Sequence, residues 1–149
     1  MTATLVRDVM TDSLATVGSN ATIADAARLM RDRDIGDVLV VDDDRLCGIV
    51  TDRDIVVRAL AGSAGPETTV AGACSANVFT IAPDAAIDDA VMLMREHALR
   101  RVPVVDGDRP VGIVSIGDLA VENDPRSALG AISAAAPNSR RARFVHSRP

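Results

Sequence analysis

GIVTDRDI (Gly48–Ile55) passes from an apolar, strand-like run through Thr51, Asp52, Arg53 and Asp54 into further apolar residues. Nearly the same text, GIVSIGDL (Gly112–Leu119), follows 64 residues later. Aligning Leu14–Val56 with Val78–Ala120 at that offset needs no gap and matches 18 of 43 pairs, where chance gives only a few. A period this long in two copies does not make a solenoid, which needs about three repeats to bury a continuous core. Two copies imply a pseudo-symmetric pair in which each half covers the other's apolar face.

Within each half the periodicity separates the elements. Leu14–Val17 and Val78–Ile81 read as short strands, and the SNAT and PDAA stretches after them read as turns into a helix start. Ile23, Ala26, Ala27 and Met30 recur at i, i+3, i+4 and i+7, as do Ile87, Ala90, Val91 and Met94, which predicts the buried stripe of a helix. VLVV (Val38–Val41) and VPVV (Val102–Val105) are β-branched strands. Asp106-Gly107 predicts a hairpin, because primed turns need positive φ. Asp42, Asp43 and Asp44 lie in the same phase, so they read as a solvated hairpin tip and not as a metal cluster.

Each half is therefore strand, helix, strand, hairpin, strand, helix, and the class is α+β. LVRDVM and TVAGAC precede the halves as extra helical turns. The resulting division is a first unit at 1–62 with its N-terminal helical turn, a polar Gly-Pro linker at 63–69 and a second unit at 70–123. A flexible, basic tail follows at 124–149, rich in Ala, Ser, Pro and Arg.

Composition removes whole classes of function. The chain has 149 residues, 48% hydrophobic and 25% charged, which is globular usage. No apolar run approaches the roughly 18 residues of a membrane span, and the first ten residues lack the apolar core of a signal peptide. A cytoplasmic protein without a membrane partner is expected. All 16 basic residues are Arg, so the lysine required by a Walker P-loop, a Schiff base or a Ser-Lys dyad is missing. His97 closes the helical pattern MLMREH, where a cation complements the helix dipole, and no nucleophile–base pair is visible. The chain does not read as an enzyme. A net charge of -5, with Phe79 and Phe144 as the only aromatic residues, argues against a nucleic-acid partner. Cys47 and Cys74 have neither CxxC spacing nor neighbouring histidines, so they predict no zinc site and read as small buried residues.

VPVVDGDRPVGIVSIGDL and VLVVDDDRLCGIVTDRDI share an apolar strand, a turn, a Gly-hydrophobic strand and Thr/Ser-x-x-Asp. In this they resemble the cystathionine-β-synthase-type (CBS) domain. Over about residues 6 to 121 the chain resembles a stand-alone tandem pair of such domains, a Bateman module. The resemblance implies two β-α-β-β-α CBS units packed about a pseudo-twofold axis, with two clefts between them. It further implies binding of AMP, ADP, ATP or S-adenosylmethionine with no required cofactor, a homodimer, and room for an unidentified protein partner. By the same resemblance Asp54 and Asp118 would hold ribose hydroxyls, and Thr51 and Ser115 would contact ribose or phosphate. Val17, Phe79 and Ile81 would sandwich adenine with Ile49 and Ile113, and Arg53, Arg100 and Arg101 would meet phosphate.

The Thr/Ser-x-x-Asp motif also has a local explanation. A hydroxyl residue followed three positions later by an acid is close to a capping box, worth about 1 kcal/mol. Two features point beyond a cap: the third residue is Asp where the box prefers Glu or Gln, and a carboxylate has two acceptor oxygens to match the two donors of a ribose diol. Arg100 and Arg101 likewise read either as phosphate ligands or as a solvated strand edge. The halves differ where it matters, because Gly36 and Asp37 stand opposite Arg100 and Arg101, and Gly117 opposite Arg53. One unit charge near a phosphate is worth about 1 to 4 kcal/mol, so the clefts are expected to be unequal. Leu39 also replaces Pro103, which leaves the geometry of the first strand open. Two functional readings stand: a regulatory module that binds adenine nucleotides, and a structural or partner-binding dimer whose Thr51 and Asp54 only cap a helix.

Overall fold

The computed structural model describes residues 4–135. Each half is built on a hairpin. β2 (Asp37–Asp42) pairs antiparallel with β3 (Arg45–Thr51), and β4 (Arg101–Asp106) pairs with β5 (Arg109–Ser115). The registers are copies of one another: Leu39 faces Ile49, Pro103 faces Ile113, and a bulge follows Val40 and Val104. Leu39 therefore leaves the hairpin geometry intact. The first turn places Asp43 (φ 50°) and Asp44 (φ 61°) in the left-handed region, whereas the second needs only Gly107 (φ 66°). Asp43 and Asp44 are exposed, but Asp42 turns back to accept a hydrogen bond from the Ser19 amide. The Ser19 hydroxyl and amide together hold the Asp42 carboxyl below the usual carboxylate range.

Pro103 does alter the leading strand. In the first half β1 (Thr16–Val17) pairs parallel with β2, and the Leu39 amide adds a bond to the Ala15 carbonyl. Proline has no such donor. The corresponding segment of the second half keeps only an isolated bridge between Ile81 and Val104, so the strand expected over Val78–Ile81 is reduced to one residue.

Helices α2 (Ile23–Arg33) and α4 (Ile87–His97) cover the hairpins. Their buried residues are Ile23, Ala26 and Met30, and Ile87, Ala90 and Met94. The stripe is one position narrower than its spacing predicts, because Ala27 is exposed and Val91 half-buried on a groove beside the last helix of each half. That last helix is α5 (Ile116–Asn123) in the second half. In the first it is α3 (Asp52–Asp54), which widens into a π-helical run, Ile55–Leu60.

The leading turns change partners. Helix α1 (Val6–Val9) sends Val6 into the core of the second half, against Ile87, Ala90 and Val102, and the 3-10 turn Val70–Gly72 sends Val70 into the core of the first, against Ile23, Ala26 and Val38. Matching bonds fix both, from the Val6 amide to the Ala85 carbonyl at 2.9 Å and from the Val70 amide to the Ala21 carbonyl at 2.8 Å. Each turn thus belongs, by packing, to the half it does not precede. The linker at 63–69 is ordered for the same reason: its Pro66 and Thr68 carbonyls accept from Ala24 and Ile23, two amides that the start of α2 leaves without helical partners.

The crossing explains the glycine of the repeated motif. A Cβ on Gly48 would lie 2.8 Å from the Ser75 carbonyl oxygen, and one on Gly112 would run into Met10 Sδ and lie 3.1 Å from the Thr11 carbonyl oxygen. Bridges Ile49–Ser75 and Thr11–Ile113 run beside these contacts.

Two expectations are corrected. Cys47 is exposed and Cys74 half-buried. Cys47 is the extra residue of the β3 bulge, opposite the step from Val40 to Val41, which turns it outward. The sequence from 124 onward is not all flexible tail: α6 (Ala128–Ala134), capped by Ser127, packs along α5. Its small residues allow the approach, Gly130 lying against the carbonyls of Asp124 and Ala120 and Ser133 against Gly117. Arg140, Arg141, Arg143, Phe144, His146 and Arg148 lie outside the described residues. Among the described residues no helix is long and apolar enough to cross a membrane.

Gly48→Ala is expected to cost about 2 kcal/mol or more, because the atom it meets is backbone. Gly112→Ala should cost less, since the flexible end of Met10 can move aside. Urea unfolding of the two variants checks the order.

Candidate functional site

Two clefts lie between the halves, and each is walled by both. Cleft I, about 330 Å³, takes Ala15, Ile35, Gly36, Asp37 and Leu39 from the first half and Ile113, Ser115 and Asp118 from the second. Cleft II, about 600 Å³, takes Ile49, Thr51, Asp52 and Arg53 from the first half and Phe79, Leu99, Arg100, Arg101 and Pro103 from the second. The two linings correspond at the 64-residue offset of the repeat. Arg101 touches both. The larger cleft is the one bounded by the segment that Pro103 leaves unpaired.

Thr51 and Ser115 end their strands in extended backbone and start the following helix. The Thr51 hydroxyl accepts from the Asp54 amide at 3.0 Å while Asp54 Oδ2 accepts from the Thr51 amide at 2.9 Å. Ser115 and Asp118 repeat the pair at 3.2 and 2.9 Å. Both motifs are complete capping boxes, so the local explanation holds in full for one oxygen of each carboxylate. The other oxygen separates them. Asp54 Oδ1 lies 3.6 Å from Arg58 Nε and its carboxylate lines neither cleft, whereas Asp118 lines cleft I and its Oδ1 has no partner among the described residues.

The remaining expected positions also divide. Ile49 and Ile113 line clefts II and I as apolar floor. Val17 and Ile81 do not reach either cleft; both pack into the hydrophobic cores, since their pairing with Val40 and Val104 turns them inward. Phe79 lines cleft II, is 43% exposed, and stacks one face on the His97 ring at a centroid distance of 3.8 Å. His97 is thus engaged by an aromatic ring at the end of α4, beyond the helix-dipole role expected of it.

Charge is distributed unequally. Arg53 and Arg100 line cleft II and form no ion pair among the described residues. Arg101 Nη1 donates to Asp37 Oδ1 at 2.5 Å across the interface of the halves. Asp37 and Arg101 are the same position of the repeat, so each copy meets its own counterpart. Gly36 lets its neighbours close in, because a Cβ there would sit 3.0 Å from Asp52 Oδ2. Among the described residues, no three His, Cys, Asp or Glu converge on a point that could hold a metal ion. Burial pushes the Cys74 thiol up, away from a reactive thiolate.

Sequence reasoning missed Thr11 and Ser13 in cleft I and their copies Ser75 and Asn77 in cleft II. All four are small polar residues at the repeat offset, three residues or fewer before the alignment began. Their signal in the sequence is faint, because no pair between 11–13 and 75–77 is identical at that offset.

Residues 6–60 and 70–122 each match the CBS domain family. The chain belongs to that family. Among curated relatives, the CBS domain-containing protein YhcV of Bacillus subtilis is 40% identical over 125 residues, covering 84% of this chain and 89% of the relative. Hypoxic response protein 1 of Mycobacterium tuberculosis is 41% identical over 119 residues, covering 78% and 83%. The crystal structure of Hypoxic Response Protein I with two coordinated zinc ions superposes with a TM-score of 0.72 at 40% identity, over 78% of this chain and 97% of that one. The CBS domain pair of protein MJ0100, in complex with 5′-methylthioadenosine and S-adenosyl-L-methionine, superposes with a TM-score of 0.72 at 33% identity, over 80% and 94%. The architecture of this chain is that of a tandem CBS pair.

Because both boxes are closed, Asp54→Ala and Asp118→Ala should each remove the bond to the N-cap amide and lower stability by about 1 kcal/mol in the free protein. Thermal melts without any ligand check this.

Proposed function

We propose that this CBS pair is a non-enzymatic regulatory module of the cytoplasm that reversibly binds adenosine-containing ligands between its halves, with anionic nucleotides (AMP, ADP or ATP) in cleft II. The observation that carries this reading is that Arg53, Arg100 and Arg101 all line cleft II, whereas their repeat equivalents are Gly117, Gly36 and Asp37 and cleft I has Arg101 alone as a cation. Guanidinium groups bind phosphate oxygens through paired, charge-assisted hydrogen bonds. Two of the three, Arg53 and Arg100, form no ion pair among the described residues. Phe79 offers adenine the face turned away from His97, with Ile49 and Pro103 as apolar walls. The ligands of the MJ0100 domain pair support the adenosine class.

In cleft I the free oxygen of Asp118 beside Ser115 suits a ribose hydroxyl, and the cap need not open to receive it. Asp54 is spent on Thr51 and Arg58 and contributes to the second site mainly by fixing Thr51. Val56, Val57 and Leu60 are exposed on the helical run after Asp54, an apolar strip suited to a homodimer that carries ligand occupancy onward to a protein partner.

Titration calorimetry of nucleotide-free protein with AMP, ATP and S-adenosylmethionine tests the reading. Micromolar to millimolar binding of AMP or ATP is expected, weakened about tenfold or more in Arg53→Gln/Arg100→Gln. Absence of binding with all three compounds overturns it. The closed capping boxes favour the competing reading of a structural dimer with empty clefts, which that result would leave standing.

A further inference from the structure

We propose that Arg101 is shared between the two clefts and couples them: phosphate bound in cleft II draws it off Asp37, and the released carboxylate then biases cleft I toward neutral or cationic adenosine compounds. The inference rests on the nucleotide reading of cleft II. Arg101 lines both clefts, and its one ion-pair partner among the described residues is Asp37, which lines cleft I. The bridge is only half-buried and is not reinforced. The Arg101 and Asp37 side chains are 39% and 21% exposed, and neither makes another side-chain hydrogen bond among the described residues.

A pair so placed is weakly held, because solvent screens it and ordering two side chains opposes it. A phosphate carries more charge and more acceptor oxygens than one carboxylate, and Arg53 and Arg100 already wait on the same side. Transfer of Arg101 from carboxylate to phosphate therefore follows the stronger acceptor. Its consequence falls across the interface. Cleft I is lined by three charged groups, Asp37, Asp118 and Arg101, and loses its single cation when Arg101 turns away. Two unpaired carboxylates oppose a second anionic nucleotide and favour a compound such as the sulfonium S-adenosylmethionine. Linkage makes the effect reciprocal: a cationic ligand that engages Asp37 frees Arg101 for phosphate.

The coupling has its origin in the repeat. A residue beside the pseudo-twofold axis faces its own copy, and two aspartates or two arginines there would repel. Divergence to Asp37 and Arg101 turns that contact into an attraction with one end in each cleft.

The test is AMP titration of the wild type, Asp37→Asn, Arg101→Gln and the double variant, with thermal melts to establish folding. Asp37→Asn should tighten AMP binding about threefold to tenfold, by removing the competitor for Arg101. In the Arg101→Gln background the same change should have no effect. S-adenosylmethionine affinity should rise by a similar factor when AMP is saturating, and that rise should vanish in Asp37→Asn. If AMP binds but Asp37→Asn leaves its affinity unchanged, or tightens it equally without Arg101, the coupling is overturned while nucleotide binding stands. S-adenosylmethionine binding that is indifferent to AMP overturns it too. Absence of AMP binding to the wild type overturns the nucleotide reading, and this inference with it.

Discussion

Everything in this molecule is arranged around a close crossing. The segment that leads each half must pass over the last strand of the other half at a distance that leaves no room for a Cβ, and Gly48 and Gly112 are the two positions that permit it. The crossing carries Val6 into one core and Val70 into the other, so neither core is complete without chain from the opposite half. That exchange is what welds two small repeats into one unit. A unit of about 60 residues alone buries too little surface to be comfortably stable.

The clefts are by-products of the same geometry. Once the leading segments cross, residues 11–15 and 75–79 lie beside the strand ends at Ile113 and Ile49, and each pocket inherits a wall from either half. The repeat sets equivalent positions around both pockets, and the residues at those positions make them unequal. Pro103 cannot donate the bond that Leu39 makes to Ala15, which leaves the wall of cleft II unpaired, and arginines at three positions make that cleft the basic one. The Asp37–Arg101 contact joins the two linings, since Asp37 lines cleft I and Arg101 lines both.

The Thr/Ser-x-x-Asp motif closes the same cap in both halves and leaves its two carboxylates in different surroundings. Asp118 uses one oxygen to cap α5 while its side chain lines cleft I. Asp54 has the same cap but lies near Arg58, where the second half has Glu122 at the corresponding position. Identical motifs thus diverge through a residue four positions away that no motif includes.

Much of the architecture was legible beforehand. The repeat offset located both hairpins and both amphipathic helices, because these depend on local period and turn chemistry that the two copies share, and the leading turns were read as helical from the segments just before each copy. The difference in charge between the halves was legible as well, since Arg53, Arg100 and Arg101 stand where the other half has glycine or aspartate, but the cleft that each arginine lines was not, because both halves contribute to both clefts. Other features depended on the tertiary fold. Val17 and Ile81 go to the cores and not to the clefts because strand pairing, which residue type does not reveal, selects the face they present. Cys47 is exposed because a bulge gives it no partner strand residue, and α6 forms because small residues let it lie on α5. Sequence alone determined what each half is; only the folded chain decided which half each segment completes, because that choice is made by the space left over a glycine and not by any preference of the segment itself.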